Sequence, residues 1–280
     1  MKSLFKNSFF LITILFAFNL IFNACDKDND NAENSSNPLL SSVSYYYNGQ
    51  SEGTETYQYD KQGRLIKMTY DDGEYSLIEY SASTVTVKDY EDGELGYTVI
   101  LNLNSKGQCV SQDEDGDLTA YEYDSNGYRK SSVYESDDYI YTETFTVSGG
   151  NYVTIVSEDQ SITKSASIIS PDLFRKSNLF KKLGMSSKPQ NTLKSTANYS
   201  SKTDFQFYLD KSNTIDYENM GVSFLGKQNK NLIKEEKRTS TYESETYTDI
   251  TTYTYEYDSI GRVTKQTDND GSYSTYTYID

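Results

Sequence analysis

The chain has 280 residues, 26 basic and 42 acidic side chains, and a net charge of −16 at neutral pH. Such a surface repels phosphate backbones and argues against nucleic acid as a partner. There is no histidine, which excludes Ser–His and Cys–His nucleophile pairs, histidine acid–base catalysis and every His-ligated metal site.

Residues 1–24 read as a secretory signal peptide. Lys2 and Lys6 supply the positive start, Phe9 to Phe22 is an apolar run too short for a comfortable membrane span, and Asn23-Ala24-Cys25 follows directly. Ala24 before Cys25 resembles a bacterial lipobox, although Phe22 stands where Leu is commoner. That resemblance implies cleavage before Cys25 and a lipid on its sulfur, so the membrane is a partner through this anchor. Loss of residues 1–24 leaves 24 basic against 42 acidic side chains, a net charge of −18. With Cys25 lipidated, Cys109 is the one cysteine left, and an internal disulfide is impossible.

Residues 25–39 read as an acidic flexible tether, because DKDNDNAENSSNP lacks large apolar side chains to bury. Asp26, Asp28 and Asp30 imitate the start of a calcium loop. Asn31 and Asn37 stand where that loop needs Gly and Glu, and the site is rejected.

From residue 40 to 280 one domain is expected. Turn signals recur every ten to thirteen residues: Asn48-Gly49, Asp60–Gly63, Asp72-Gly73, Ser81–Ser83, Asp92-Gly93, Asn104–Gly107, Asp115-Gly116, Asp124–Gly127, Asp137-Asp138, Ser148–Asn151 and Glu158-Asp159. This is the spacing of consecutive β-hairpins. Two kinds of turn are expected, tight Asp-Gly pairs and a longer Asp-x-x-Gly loop. The longer loop sits in a phrase written three times, YQYDKQGR (57–64), YEYDSNGY (121–128) and YEYDSIGR (255–262). Between turns, Tyr57/Tyr59, Leu101/Leu103, Tyr121/Tyr123 and Tyr253/Tyr255/Tyr257 alternate with polar residues, the period of a strand with one buried face. With 28 tyrosines and no tryptophan, tyrosine is the main wall material.

Residues 164–202 break the pattern, holding eight basic residues against Asp172. Ser170-Pro171 and Gly184 would start and stop a short helix there. A basic crossover loop on the protein's acidic body is favoured over a membrane-surface helix. TDFQFYLD (203–210) reads as a strand, and 231–258 and 261–279 as hairpins. The expected fold is all-β: an antiparallel meander of about fifteen strands closing into a soluble barrel or strongly curled sheet, with one irregular or short-helical insertion near 164–202.

The phrase Y-x-Y-D-x-x-G-R resembles the YD repeats of Rhs-type proteins. The chain also resembles an uncharacterised family of Bacteroidetes secreted lipoproteins with a porin-like fold. The resemblance spans residues 40–280 and rests on the Tyr-rich meander, on Asn231-Leu232-Ile233-Lys234, and on the closing Tyr255–Gly261 phrase. It implies an outer-membrane, cell-surface lipoprotein and carries no catalytic residues. The alternation of Tyr with Thr, Ser, Glu and Asp argues against a lipid-spanning wall.

Three kinds of site were weighed. Asp113, Asp115 and Asp117, and Asp268 with Asp270, offer oxygens to a hard cation, but all sit at hairpin tips where Asp is a turn residue. A glycosidase needs two facing carboxylates, and nothing selects a pair. Tyrosine rows suit stacking on sugar rings, though most must be core. No catalytic, metal or cofactor site is assigned. A non-enzymatic binding module for a glycan or a partner protein is favoured over a carboxylate-dependent glycan-degrading enzyme and over a structural spacer.

Overall fold

A computed structural model describes residues 37–114, 117–136, 139–161, 199–242 and 244–279. They form sixteen strands: β1 (Leu40–Tyr47), β2 (Gln50–Tyr59), β3 (Leu65–Tyr70), β4 (Tyr75–Tyr80), β5 (Thr84–Glu91), β6 (Glu94–Leu103), β7 (Cys109–Glu114), β8 (Asp117–Tyr123), β9 (Arg129–Glu135), β10 (Tyr139–Ser148), β11 (Asn151–Ser161), β12 (Tyr199–Ser212), β13 (Asn231–Tyr242), β14 (Glu245–Tyr257), β15 (Val263–Asp268) and β16 (Tyr273–Tyr278). Each pairs with its sequence neighbours, and β16 pairs antiparallel with β1, from Leu40 opposite Tyr278 to Tyr46 opposite Tyr273. The sheet is a closed up-and-down barrel. Sixteen strands agree with the expected count of about fifteen, and the even number has a geometric reason. An antiparallel meander closes antiparallel only with an even count, because an odd count leaves the first and last strands parallel.

The repeated phrase is one hairpin corner. Asp60, Asn104, Asp124 and Asp258 each accept, through Oδ1, the N–H groups two and four residues on, at 2.8–3.0 Å. The glycine that closes each loop has φ between 76° and 91°, a region where a side chain is strained. A register shift follows in each pair of strands, at Gln58/Tyr59, Asn102/Leu103, Glu122/Tyr123 and Glu256/Tyr257. Such bulges bend and twist the wall towards closure. The two copies ending in Arg match further. Arg64 bonds Asp60 at 2.7 Å and lies over the Tyr80 ring, and Arg262 bonds Asp258 at 2.6 Å and lies over Tyr278.

Several turns differ from expectation. Asn48-Gly49 and Asp92-Gly93 are tight pairs with both φ values positive. Asp72-Gly73 is not one: Gly73 N–H donates to Tyr70 C=O, the longer loop geometry, and Gly271 does the same to Asp268. Glu158-Asp159 is no turn but lies within β11, held between Thr142 and Tyr141 of β10 and Ser200 and Tyr199 of β12. The strand expected at 203 begins at Tyr199, since Tyr199–Lys202 pair with β11 and β13. The rest of the expected insertion, with its short helix, lies outside the described residues, as do Asp115 and Gly116.

Connections alternate between two ends. One, the terminal end, carries the starts of β1 and the finish of β16, where Ile279 N–H donates to Leu39 C=O at 2.8 Å. It also carries the three corners of the repeated phrase and the matching corner at Asn104–Gly107. The other, the distal end, carries the turns at 48–49, 71–74, 92–93 and 269–272. Segment 213–230, between β12 and β13, fills the terminal end and was not singled out in the sequence. Its Met220, Val222, Phe224 and Leu225 are buried with Leu40, Leu65, Leu101, Cys109 and Tyr121. Strand-end N–H groups bond to its backbone: Leu40 to Asn219 C=O at 2.8 Å, Leu65 to Gly221 at 3.2 Å, Cys109 to Phe224 at 2.8 Å. Each buried Leu or Phe there contributes about 1.5–3 kcal/mol.

The interior therefore changes along the barrel. It is apolar near the segment and polar towards the distal end, where Ser76, Gln112, Thr119 and Ser132 are buried. The outer wall carries ion pairs, Lys88–Glu79 at 2.7 Å and Lys265–Glu256 at 3.3 Å, and cross-strand hydroxyl contacts such as Thr239–Thr248, beside exposed apolar side chains such as Ile100, Leu118 and Ile250.

Candidate functional site

Most tyrosines are structural. At the terminal end a row of inward tyrosines donates to backbone carbonyls of neighbouring strands: Tyr59 to Leu40 at 2.6 Å, Tyr80 to Leu65 at 2.8 Å, Tyr123 to Cys109 at 2.8 Å, Tyr255 to Ile233 and Tyr278 to Val263 at 2.7 Å. The acceptors adjoin bulges or strand ends, where the ladder leaves a carbonyl unpaired. Burial pushes these phenols above their ordinary range, Tyr278 to about 12, so they stay neutral donors.

A second set of tyrosines is different. At the distal end a cleft of about 220 Å³ opens between β1–β2 and β14–β16. Tyr45, Tyr46, Tyr253 and Tyr273 line it, with Glu52, Gln266, Asp268, Ser272 and Ser274. Tyr46 and Tyr273 are directly opposed across the β1–β16 seam, so their rings stack at 4.5 Å and 10°. Lys265 Nζ sits 4.5 Å from the Tyr273 ring centre. Glu52 reaches the cleft because it is the extra residue of a β2 bulge, between Ser51 opposite Tyr46 and Gly53 opposite Tyr45. Partial burial, and then the adjacent Asp270, hold the Asp268 carboxyl above the usual carboxylate range. Hydrogen bonds from Ser272 and Asp268 hold Asp270 below it.

The same motif occurs a quarter of the way round. Tyr75 and Tyr90 stack at 4.7 Å and 7°, and Lys67 lies 4.5 Å from Tyr75. The sequence does carry this signal. Lys67 precedes Tyr75, and Lys265 precedes Tyr273, by eight residues across an Asp-Gly loop, in KMTYDDGEY and KQTDNDGSY. The partner tyrosines, Tyr46 and Tyr90, come from distant or separate phrases and only pairing reveals them.

Of the acidic residues weighed, Asp270 is a turn residue whose Oδ1 accepts Ser272 N–H at 2.8 Å, whereas Asp113, Asp117 and Asp268 lie in β7, β8 and β15, where Asp117 accepts the Tyr134 hydroxyl at 2.7 Å. Among the described residues no three Asp, Glu or Cys side chains converge on a metal site. Cys25 lies outside the described residues.

With barrel and cleft in view, the chain can be set beside known proteins. It is similar to the crystal structure of a porin-like protein from Bacteroides vulgatus, with a TM-score of 0.53 and 12% identity over 86% of this chain and 99% of that one. It is similar also to a porin-like protein from Bacteroides uniformis, with a TM-score of 0.51 and 17% identity over 86% and 98%. The fold is porin-like. No protein-family model matches the sequence, and no curated protein does. At such identities the likeness concerns the course of the backbone alone. The cleft has to be read from its own chemistry.

Proposed function

We propose that this chain is an exported lipoprotein, anchored by a lipid on Cys25 at the outer membrane, whose barrel stands in water at the cell surface as a non-enzymatic binding module for an extracellular glycan. The observation that carries this reading is the distal cleft. It combines half-buried tyrosine rings with carboxylate, amide and hydroxyl groups, the mixture that suits a sugar ring's apolar faces and polar edge.

Two features support the address. Charged side chains such as Lys88 and Lys265 on the outer wall would each cost about 2–4 kcal/mol facing lipid at the bilayer midplane. The chain before Asn37 leaves from the terminal end, where Asn219 holds Pro38 C=O at 2.9 Å. A lipid on Cys25, twelve residues earlier, then tethers that end within ~40 Å of the membrane.

Glu52 and Asp268 in one cleft, with Asp268 held above the usual carboxylate range, favour a second reading, a glycan-cleaving enzyme. The test is the melting temperature of the full-length protein in detergent against a panel of polysaccharides. A ligand of the folded state raises it. No shift across the panel defeats the glycan reading. Shortened products from a bound glycan would replace the binder with the enzyme. Cys25→Ala should move the protein from the membrane to the soluble fraction.

A further inference from the structure

We infer that one arc of the terminal rim, from the end of β12 to the end of β16, rests in a lipid surface, so that the barrel stands end-on upon the membrane. This rests on the anchor reading above and adds which surface of the fold meets lipid. Leu209 and Ile260 are 79% and 74% exposed, more than any other large apolar side chain among the described residues. Both lie on this arc, with the exposed Tyr257 and Ile279. The arc is continuous. Lys211, two residues after Leu209, places Nζ 5.3 Å from the Tyr257 ring centre. Ile260 stands in the corner that follows Tyr257, and Arg262 of that corner lies 4.6 Å from the ring centre of Tyr278, next to Ile279.

Folding does not call for these side chains. The four matching corners hold Gln62, Lys106, Asn126 and Ile260 at one position, and each donates its backbone N–H to the Asp or Asn two residues before. Three are polar, as suits a solvated tip, and Ile260 is not. Leu209 serves the fold through its carbonyl, which accepts Asn231 Nδ2 at 3.1 Å. The occupant follows from where the chain leaves. Ile279 N–H donates to Leu39 C=O at 2.8 Å, so the segment towards Cys25 departs beside the arc. Residues 25–36 have no large apolar side chain to cover it, and a lipid on Cys25 brings a bilayer within reach. Charge does not drive the contact. Lys230 and Lys234 are exposed, but Lys211 pairs with Asp210 and Arg262 with Asp258, and Asp26, Asp28, Asp30 and Glu33 precede the barrel. The contact is apolar, and the lysine stems can lie along it with their ammonium groups among the headgroups.

The chain has no tryptophan, so a single introduced one reports its own surroundings. The experiment places Ile260→Trp, and separately Ile250→Trp, in the full-length protein on phosphatidylcholine vesicles. The vesicles are made with and without bromine near the start of the acyl chains, the depth of about 5–10 Å that interfacial side chains reach. Ile250 is an exposed residue of β14, about 24 Å before Tyr257 along the strand. Both proteins should float with the vesicles. Emission of Ile260→Trp should shift to the blue and lose intensity on brominated lipid, and that of Ile250→Trp should do neither. Adding Leu209→Asp to Ile260→Trp should reduce the loss without lowering the melting temperature. Flotation without quenching at either position would overturn the docking and leave the anchor intact. No flotation would overturn both. Quenching at both positions would put the wall itself in lipid. Quenching at Ile250→Trp alone would put the distal end, whose connection 162–198 is basic, on the membrane. Either overturns the end-on arrangement. A blue shift of Ile260→Trp that needs no vesicles and grows with protein concentration would give the arc to a second copy and overturn the lipid assignment.

Discussion

Asn151 and Asn231, eighty residues apart, bond each other twice. Asn151 Nδ2 donates to Asn231 Oδ1 at 3.0 Å, and Asn231 N–H donates to Asn151 Oδ1 at 2.9 Å. Both are buried, and Asn231 Nδ2 also donates to the carbonyls of Leu209 and Lys211 at 3.1 Å. The pair ties the β10–β11 corner to the strand that follows the plugging segment.

Asn231→Ala keeps the backbone N–H bond to Asn151 Oδ1 but takes their side-chain partner from Asn151 Nδ2 and two carbonyls at a buried site, which should cost about 1–3 kcal/mol. Urea unfolding measures it. A midpoint unchanged from wild type would show that water replaces the asparagine there.

The plugging segment makes a second prediction. A β-carbon on Gly221, whose φ is +67°, would lie 2.4 Å from the Gly63 carbonyl oxygen and 2.8 Å from Leu65 N. Gly221→Ala must push the segment off the β2–β3 corner and should cost about 1–3 kcal/mol through overpacking, besides backbone strain. Gly271→Ala is the control. Its φ is +90° with nothing within 4 Å of the new carbon, so only the strain of about 1–2 kcal/mol remains. Equal losses from the two would deny the close approach.

Asp216 begins the same segment. Burial, with a smaller contribution from Glu218, raises its carboxyl to about 7 against hydrogen bonds from Asn219 and Glu218 N–H that favour ionisation. Between the ordinary carboxylate range and pH 7 the folded chain holds a proton that the unfolded chain releases. Stability therefore falls as pH rises through that window and is level above it. Asp216→Asn keeps an oxygen for the two N–H groups, at 2.8 and 3.2 Å in the wild type, and has nothing to ionise. The melting temperature of wild type should drop relative to this variant from about pH 4 to pH 7. Parallel curves would contradict the buried carboxyl.

Cys109 is fully buried, and burial pushes its thiol up to about 12. A thiol reagent at pH 8 should label it only after denaturation, because the thiolate is the reactive form. Full labelling of the native protein would mean that the core at β7 opens readily.

The wall was legible in the sequence because its signals are local. Tyr121 and Tyr123 show their shared face through a period of two, and Asp258 and Gly261 announce their corner within four residues. The limits of that reading are local too. Glu158-Asp159 looks like a turn, yet pairing on both sides keeps it in β11. Asp72-Gly73 looks like a tight pair, yet its hydrogen bonds close the longer loop.

The sequence by itself determined the all-β class, the hairpin repeat and the chemistry of the four bulged corners, since turn geometry depends on neighbouring residues. Only the tertiary structure decided three things: that β16 meets β1, that segment 213–230 enters the barrel, and that Tyr46 stacks on Tyr273 beside Glu52 and Asp268. Each joins residues far apart in the chain, and no local periodicity records which strand lies next to which. Closure is a property of the whole meander, and the cleft exists only at the seam that closure makes.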